Sequence, residues 1–379
     1  MGRFQAMLRA APEQPANMRL MGLRGVGKTV LLGEFQASAE EAGWATAMLE
    51  LQPGHNTEET LVAAITALAR DSMERLSRVE RIKRAVGNTV RQAGALGLGW
   101  GEFSLTYDPV IGEPREDITR SLFEVVEVTV EKGSGGFVLL LDEAQVVRDE
   151  TRGDGEHPLS LLISSIVALQ RQEIPLGLVL CGLPTLSGNL LKARSYTERM
   201  FRGEEIGSLD RDDARAAFAQ PLGGCGLDAD RGLVEEVIEE VEGYPYFIQL
   251  WGAELWDAAE IGGAERLTMS LLEAIRPDIY RRLDLDFYGP RVETLTPAEQ
   301  DVLLATAFAD YPPLVVSKLN ETIEKTPANV NVLLGRLVDN GVLYRVRKGE
   351  YDYTAPRFRD YLLRRARADG VGALGRSLF

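Results

Sequence analysis

The sequence predicts an α/β domain, a parallel sheet with helices on both faces, followed by a helical segment and a small mixed C-terminal domain. Three observations carry this expectation. Residues 22–29 read GLRGVGKT, which completes the pattern G-x-x-x-x-G-K-[ST]. Residues 137–145 read FVLLLDEAQ, five apolar residues running into an acidic pair. From Leu295 onward the periodicity changes to short helical patterns and a hairpin.

The glycine-rich run implies a nucleoside triphosphate held on backbone amides. Gly22, Gly25 and Gly27 allow a turn tight enough for successive N–H groups, those of Val26 and Val30 among them, to face an anion. Lys28 is the residue that reaches the β- and γ-phosphates, and Thr29 offers a hydroxyl to Mg2+. The context has the required order. Residues 17–21 end in Leu20 and Met21 and suit a buried parallel strand. Leu31, Phe35, Ala39 and Ala42 then recur at helical spacing until Gly43.

Length and composition bound the answer. A chain of 379 residues with 45% apolar content has material for two or three packed domains. No apolar stretch approaches the roughly 20 residues that span a bilayer, so no membrane partner is expected and a cytoplasmic location is. Cys181 and Cys225 are too few for a disulfide framework, and with His55 and His157 as the only histidines a zinc cluster is not expected. The net charge of −15 argues against a protein that coats nucleic acid with its whole surface. Residues 291–379 carry 13 Lys and Arg against 11 Asp and Glu, whereas residues 1–290 carry 29 against 46. A nucleic-acid contact is therefore expected only in the C-terminal part.

Between the two motifs, strand and helix signals alternate, which favours a parallel sheet. Residues 44–51 read as a strand. Thr57 is a helix N-cap ahead of Leu61, Ile65, Leu68 and Leu76. A basic stretch follows (Arg75, Arg78, Arg81, Lys83, Arg84 and Arg91), read as a solvated helix face. Residues 93–101, AGALGLGWG, and an alternating run over 102–107 read as an inserted hairpin. Ile118, Leu122, Val125, Val126 and Val130 mark the next helix.

The run over 137–141 suits a central parallel strand, which places Asp142 and Glu143 at its C-terminal end, where open α/β sheets bind ligands. Asp142 is expected to hold Mg2+, and Glu143 to polarise the water that attacks the γ-phosphate. Residues 176–182, LGLVLCG, form another buried strand. Its tip holds Cys181 and Gly182, and Thr185 is the nearest hydroxyl.

With these motifs the chain resembles the AAA+ and STAND branch of P-loop ATPases, in particular bacterial relatives of the Orc1/Cdc6 ATPase module. The likeness extends to the Gly2-Arg3 pair, to KARSYTERMF over 192–201 and to GYPYF over 243–247. It implies a P-loop core over 1–203, an all-α lid over 204–288 and a winged helix over 289–379. It also implies base contacts from the lid at Gly243, Tyr244 and Pro245, and an arginine finger at Arg199 that reaches nucleotide within a homo-oligomer. Relatives have a segment ahead of the Gly-Arg pair that covers the adenine. Only Met1 stands there, so phosphate binding is better supported than adenine specificity. The lid helix after Pro245 has no arginine through Trp256. That favours a STAND-like switch with slow turnover.

In the C-terminal part Thr296, Pro297 and Glu299 form a capping box with Pro at the first helical position. Val302, Leu303 and Phe308 mark the apolar face of this helix, residues 314–323 a second helix, and Thr326 caps a third that Gly341 ends. Residues 342–346 and 351–354 flank a Lys348-Gly349 turn. In a winged helix, Asn329, Asn331 and Arg336 would face a major groove, and Arg345, Arg347 and Lys348 on the wing would face phosphates. The leading expectation is an ATP- and Mg2+-binding regulatory switch, with a protein or DNA partner for the winged helix. The alternative is an initiator- or loader-like ATPase assembling on duplex DNA; a small-molecule P-loop kinase fits the acidic pair and the lid less well.

Overall fold

The computed structural model describes residues 1–86, 118–150, 155–321, 323 and 325–368. The glycine-rich run at 93–101, the strand expected over 102–107 and Arg91 lie outside the described residues. The chain forms two compact units. One comprises Met1–Met21 and Lys28–Glu205; the other comprises Gly22–Gly27 and Ile206–Phe379.

The first unit is an α/β layer structure. In chain order it contains α1 (Gly2–Ala10), β1 (Ala16–Gly22), α2 (Lys28–Glu41), β2 (Ala45–Glu50), α3 (Glu58–Val86) and α4 (Ile118–Glu131). It continues with β3 (Phe137–Asp142), α5 (Pro158–Gln170), β4 (Leu176–Gly182), α6 (Thr185–Ala193), α7 (Thr197–Met200) and β5 (Arg202–Ile206). Among the described residues the sheet order is β2-β3-β4-β1-β5, and β1 to β4 pair in parallel. Every residue of β3 and β4 is buried, as a parallel strand covered on both faces requires.

Alternation along the strands divides the two faces. Phe137, Leu139, Leu141, Leu178 and Leu180 pack with Leu61, Leu122, Ile163 and Leu190 of α3 to α6. The opposite face is covered by α1 and α2, where the rings of Phe4 and Phe35 stack at 4.6 Å. In α2 the buried stripe is Leu32, Phe35 and Ala39, not the Leu31 register read from the sequence, and Ala42 is exposed. Adjacent apolar residues made either register compatible with the helical period. In α3, Thr60 N donates to Thr57 Oγ1 at 3.2 Å, as expected of a cap.

The second unit begins with α8 (Arg211–Gly224), β6 (Asp228–Ala229), α9 (Arg231–Val241), α10 (Pro245–Gly262), β7 (Arg266–Leu267) and α11 (Met269–Arg282). A π-helical stretch, Leu283–Tyr288, joins α11 to α12 (Gly289–Glu293), so the chain stays helical from 269 to 293. Then come α13 (Pro297–Phe308), β8 (Leu314–Val315), α14 (Val316–Leu319), α15 (Pro327–Asp339), β9 (Leu343–Arg347), β10 (Glu350–Tyr353) and α16 (Phe358–Ala368). One continuous core runs through these helices, with Phe218, Trp251, Tyr288, Leu303, Leu334 and Phe358 in it.

The local C-terminal elements read from the sequence are present, with two corrections. The capping box at Thr296 and Glu299 is formed, and Thr326 Oγ1 accepts from Asn329 N at 3.4 Å. Phe308, however, is 47% exposed, because it is the last residue of α13 and lies beyond the buried stripe. Residues 314–315 are a strand that pairs with β10, which leaves only four residues of helix in α14. The β-branched pair Val315 and Val316 suits an extended start better than a helical one.

Candidate functional site

In the sheet order, β4 lies between β3 and β1, so Asp142 and Gly182 end neighbouring parallel strands and Gly22 ends the next. This carboxyl edge is where such sheets bind ligands. Between β1 and α2 the chain turns through Gly25 and Gly27, at φ +78° and +85°. Both lie in the left-handed region open to glycine, and successive amides in such a turn form a concave nest for an anion. Val26, between them, turns its side chain into the apolar core of the second unit. Lys28 is buried as the first residue of α2, whereas Thr29 and Val30 are exposed in its first turn.

Within the first unit the two motifs meet. Thr29 Oγ1 donates to Asp142 Oδ2 at 2.6 Å, and Asp142 Oδ1 accepts from Glu143 N at 2.8 Å. Asp142 is 3% exposed. The pair brings a hydroxyl and a carboxylate oxygen together, a donor set that fits a hard divalent cation. Beside it, burial above all, and then the Asp142 charge, push the Cys181 thiol well up, so it stays protonated. Glu143 sits at φ 50° and ψ 31°, a left-handed conformation uncommon for a residue with a side chain. Its carboxylate accepts a hydrogen bond from the Gln145 side-chain amide. Sequence reasoning had no role for Gln145; the one signal was the glycine, Gly182, at the tip of β4.

Within the second unit the loop is bonded to the GYPYF segment. Tyr244 donates its hydroxyl to the main-chain oxygen of Arg24, and Tyr246 N donates to Gly25 O at 3.2 Å. A Cβ on Gly25 would lie 2.6 Å from the Tyr244 hydroxyl oxygen, so this position has room only for glycine. Tyr244 is buried, its ring in edge contact with Phe247 at 4.9 Å and Phe287 at 6.3 Å. Burial pushes its hydroxyl up to about 12, which keeps it a neutral donor. Pro245 is the first residue of α10, a position that suits its missing N–H. Of the three residues expected at the base, Gly243 accepts from Leu209 N at 2.8 Å through its main-chain oxygen, Tyr244 meets the loop backbone and Pro245 opens a helix.

Arg199 lies in α7 and is exposed, with no carboxylate partner among the described residues. The nearby Glu204 is held by Arg3 at 3.0 Å and Arg202 at 3.3 Å.

The basic residues near the C-terminus are largely engaged. Arg347 pairs with Glu350 at 2.6 Å, Arg345 donates to the Tyr351 hydroxyl at 3.0 Å, and Arg336 lies 3.8 Å from Glu299. Asn331 Nδ2 donates back to Pro327 O at 2.9 Å. Asn329 and Lys348 are exposed.

The comparisons agree with this geometry. Residues 1–180 match the family model described as AAA ATPase domain, and residues 285–362 match one described as Domain of unknown function (DUF8462). No curated protein matches the sequence. The Walker-type ATPase PABY2304 of Pyrococcus abyssi is similar in structure over 95% of each chain, with 19% identity and a TM-score of 0.59. The ORC2 protein of Aeropyrum pernix in its ADP form is similar over 97% of this chain and 94% of that one, with 14% identity and a TM-score of 0.53.

The sheet, the glycine loop and the acidic pair define a P-loop nucleotide-binding ATPase domain. More particularly, residues 1–180 match an AAA ATPase domain, and the fold of the chain is like that of PABY2304 and of the ORC2 protein. Among the described residues no helix is long and apolar enough to cross a membrane.

Proposed function

We propose that this protein binds ATP with Mg2+, hydrolyses it slowly and acts as a nucleotide-dependent regulatory switch. The observation that carries the reading is the 2.6 Å bond between Thr29 Oγ1 and Asp142 Oδ2, which joins the two motifs as one set of oxygen donors. Gly22, Gly25, Val26, Gly27 and Val30 would cradle the phosphates, with Lys28 as their counter-charge. Thr29 and Asp142 would hold Mg2+, which supplies charge neutralisation on the phosphate oxygens when bound. Glu143 would accept the proton of the water that attacks the γ-phosphorus as the bond to the β-phosphate oxygen breaks. In an oligomer Arg199 would meet the transferring phosphoryl group; its exposure supports that role.

We assign residues 1–203 to the ATPase core, 204–288 to a helical lid and 289–379 to a winged helix. Support for the last comes from the order α13, β8, α14, α15 and the β9-β10 hairpin. The switch reading is favoured over a duplex-DNA loader because Arg336, Arg345 and Arg347 already have partners within the chain. The test is ATP binding in Mg2+ by wild type and Lys28→Ala, with turnover measured for Glu143→Gln. Binding by wild type, its loss in Lys28→Ala, and binding without turnover in Glu143→Gln are the expected results. Absence of ATP binding by the wild type would sink the reading.

A further inference from the structure

Gln145 is held at both ends of its side-chain amide. Nε2 donates to Glu143 Oε2, and Oε1 accepts from Leu183 N at 3.0 Å, just beyond the end of β4. Its main-chain oxygen accepts from Asn189 Nδ2 at 3.0 Å. These partners fix the orientation of the amide. The reversed orientation would set a carbonyl against a carboxylate and an NH2 group against an N–H.

The end of β4 is shaped around this side chain. A Cβ on Gly182 would run into Gln145 Oε1 and would lie 3.3 Å from Gln145 N and 3.4 Å from Ala144 N. Glu143 itself stands in a left-handed conformation, which persists where surrounding bonds over-determine it. Its other oxygen, Oε1, has no hydrogen bond to the protein among the described residues.

We propose that Gln145 is a positioning residue for Glu143: its amide fixes one carboxylate oxygen, ties it to the tip of β4 and leaves Oε1 free for the attacking water. The polar group that β4 lacks at its tip, where Gly182 stands, is thus supplied from the segment after β3. A neutral amide orients the carboxylate without setting a further charge beside it. The proposal rests on the reading of Glu143 given above.

The test is the single-turnover rate of ATP hydrolysis against pH for the full chain, with ATP affinity measured in parallel. Gln145→Leu is expected to slow hydrolysis on the order of ten- to a hundred-fold, with ATP affinity within about two-fold, because only the geometry of the base is lost. Gln145→Glu keeps the shape and the acceptor for Leu183 N but sets a second carboxylate against Glu143. Its rate profile should gain an inflection about one pH unit or more above the wild-type acid limb, since two carboxylates in contact do not both ionise in the ordinary range. A Gln145→Leu rate within two-fold of wild type, or a Gln145→Glu profile that superimposes on it, overturns the proposal. Should Gln145→Leu fail to fold, the pH profile of Gln145→Glu decides alone. Glu143→Gln separates the two failures: full turnover in that variant removes the role of Glu143 itself, whereas its loss beside an unaffected Gln145→Leu removes only Gln145.

Discussion

Tyr244 donates its hydroxyl to the main-chain oxygen of Arg24, so the glycine loop is bonded to the start of α10 within the second unit. Two further features reinforce the bond: Tyr246 N donates to Gly25 O, and the Tyr244 ring fills the space a side chain at Gly25 would need. Tyr244→Phe keeps the ring and loses one hydrogen bond to a carbonyl. A loss of about 1 kcal/mol in stability is expected, measured by urea denaturation. Gly25→Ala adds a steric conflict and an unfavourable φ of +78° to the same place. It should lose more stability than Tyr244→Phe and lose ATP binding; an alanine variant that binds ATP normally would show that the loop does not need this geometry.

Asp142 accepts from both Thr29 and the Glu143 amide. Asp142→Asn retains the size of the side chain but removes its charge. ATP affinity in Mg2+ is expected to fall by about ten-fold or more, with a much smaller change when Mg2+ is replaced by EDTA. Equal losses in the two conditions would take Asp142 out of the proposed cation site.

Acid should weaken the second unit progressively, with the loss completed only below the range in which ordinary surface carboxylates titrate. Hydrogen bonds from Arg215 and then Arg211 hold Glu235 down to about 2, below its usual 4.5. A carboxylate whose folded value is depressed stabilises the fold above its unfolded value, and this contribution is lost as pH falls through the folded one. The Glu235 contribution is therefore complete above about pH 4.5 and fades toward pH 2. Stability curves of wild type and Glu235→Gln should converge across that window; a constant gap down to pH 2 would contradict the assignment.

The wing offers a direct comparison of the two functional readings. Under the switch reading, duplex DNA at low salt binds weakly, and Arg345→Ala, Arg347→Ala and Lys348→Ala together change little. Wild-type binding that falls steeply with salt, with a shallower slope in the triple variant, would favour the loader reading.

Much of this architecture was legible in one dimension. The strand-loop-helix order around residues 22–29, the buried strand ending in Asp142 and the capping box at Thr296 each depend on neighbours a few residues apart. Local geometry and hydrophobic period are enough to reveal them. Errors fell where local signals were ambiguous. Leu31 and Leu32 fit the same helical stripe, and the Val315-Val316 pair suits either a strand or a helix start until β10 supplies a hydrogen-bonding partner.

By itself, then, the sequence determined the class of the N-terminal domain: a glycine loop after a strand and an acidic strand end are legible because backbone torsions and residue types set those groups directly. Tertiary structure alone decided which side chains complete the arrangement. Gln145 meets Glu143 and Leu183, and Tyr244 meets Arg24, across 38 and 220 residues of chain for the longer contacts. The partners of Gln145 depend on β3 and β4 lying side by side, and that of Tyr244 on the packing of α10 against the loop. No periodicity records such contacts, since they arise only when separate strands and helices pack.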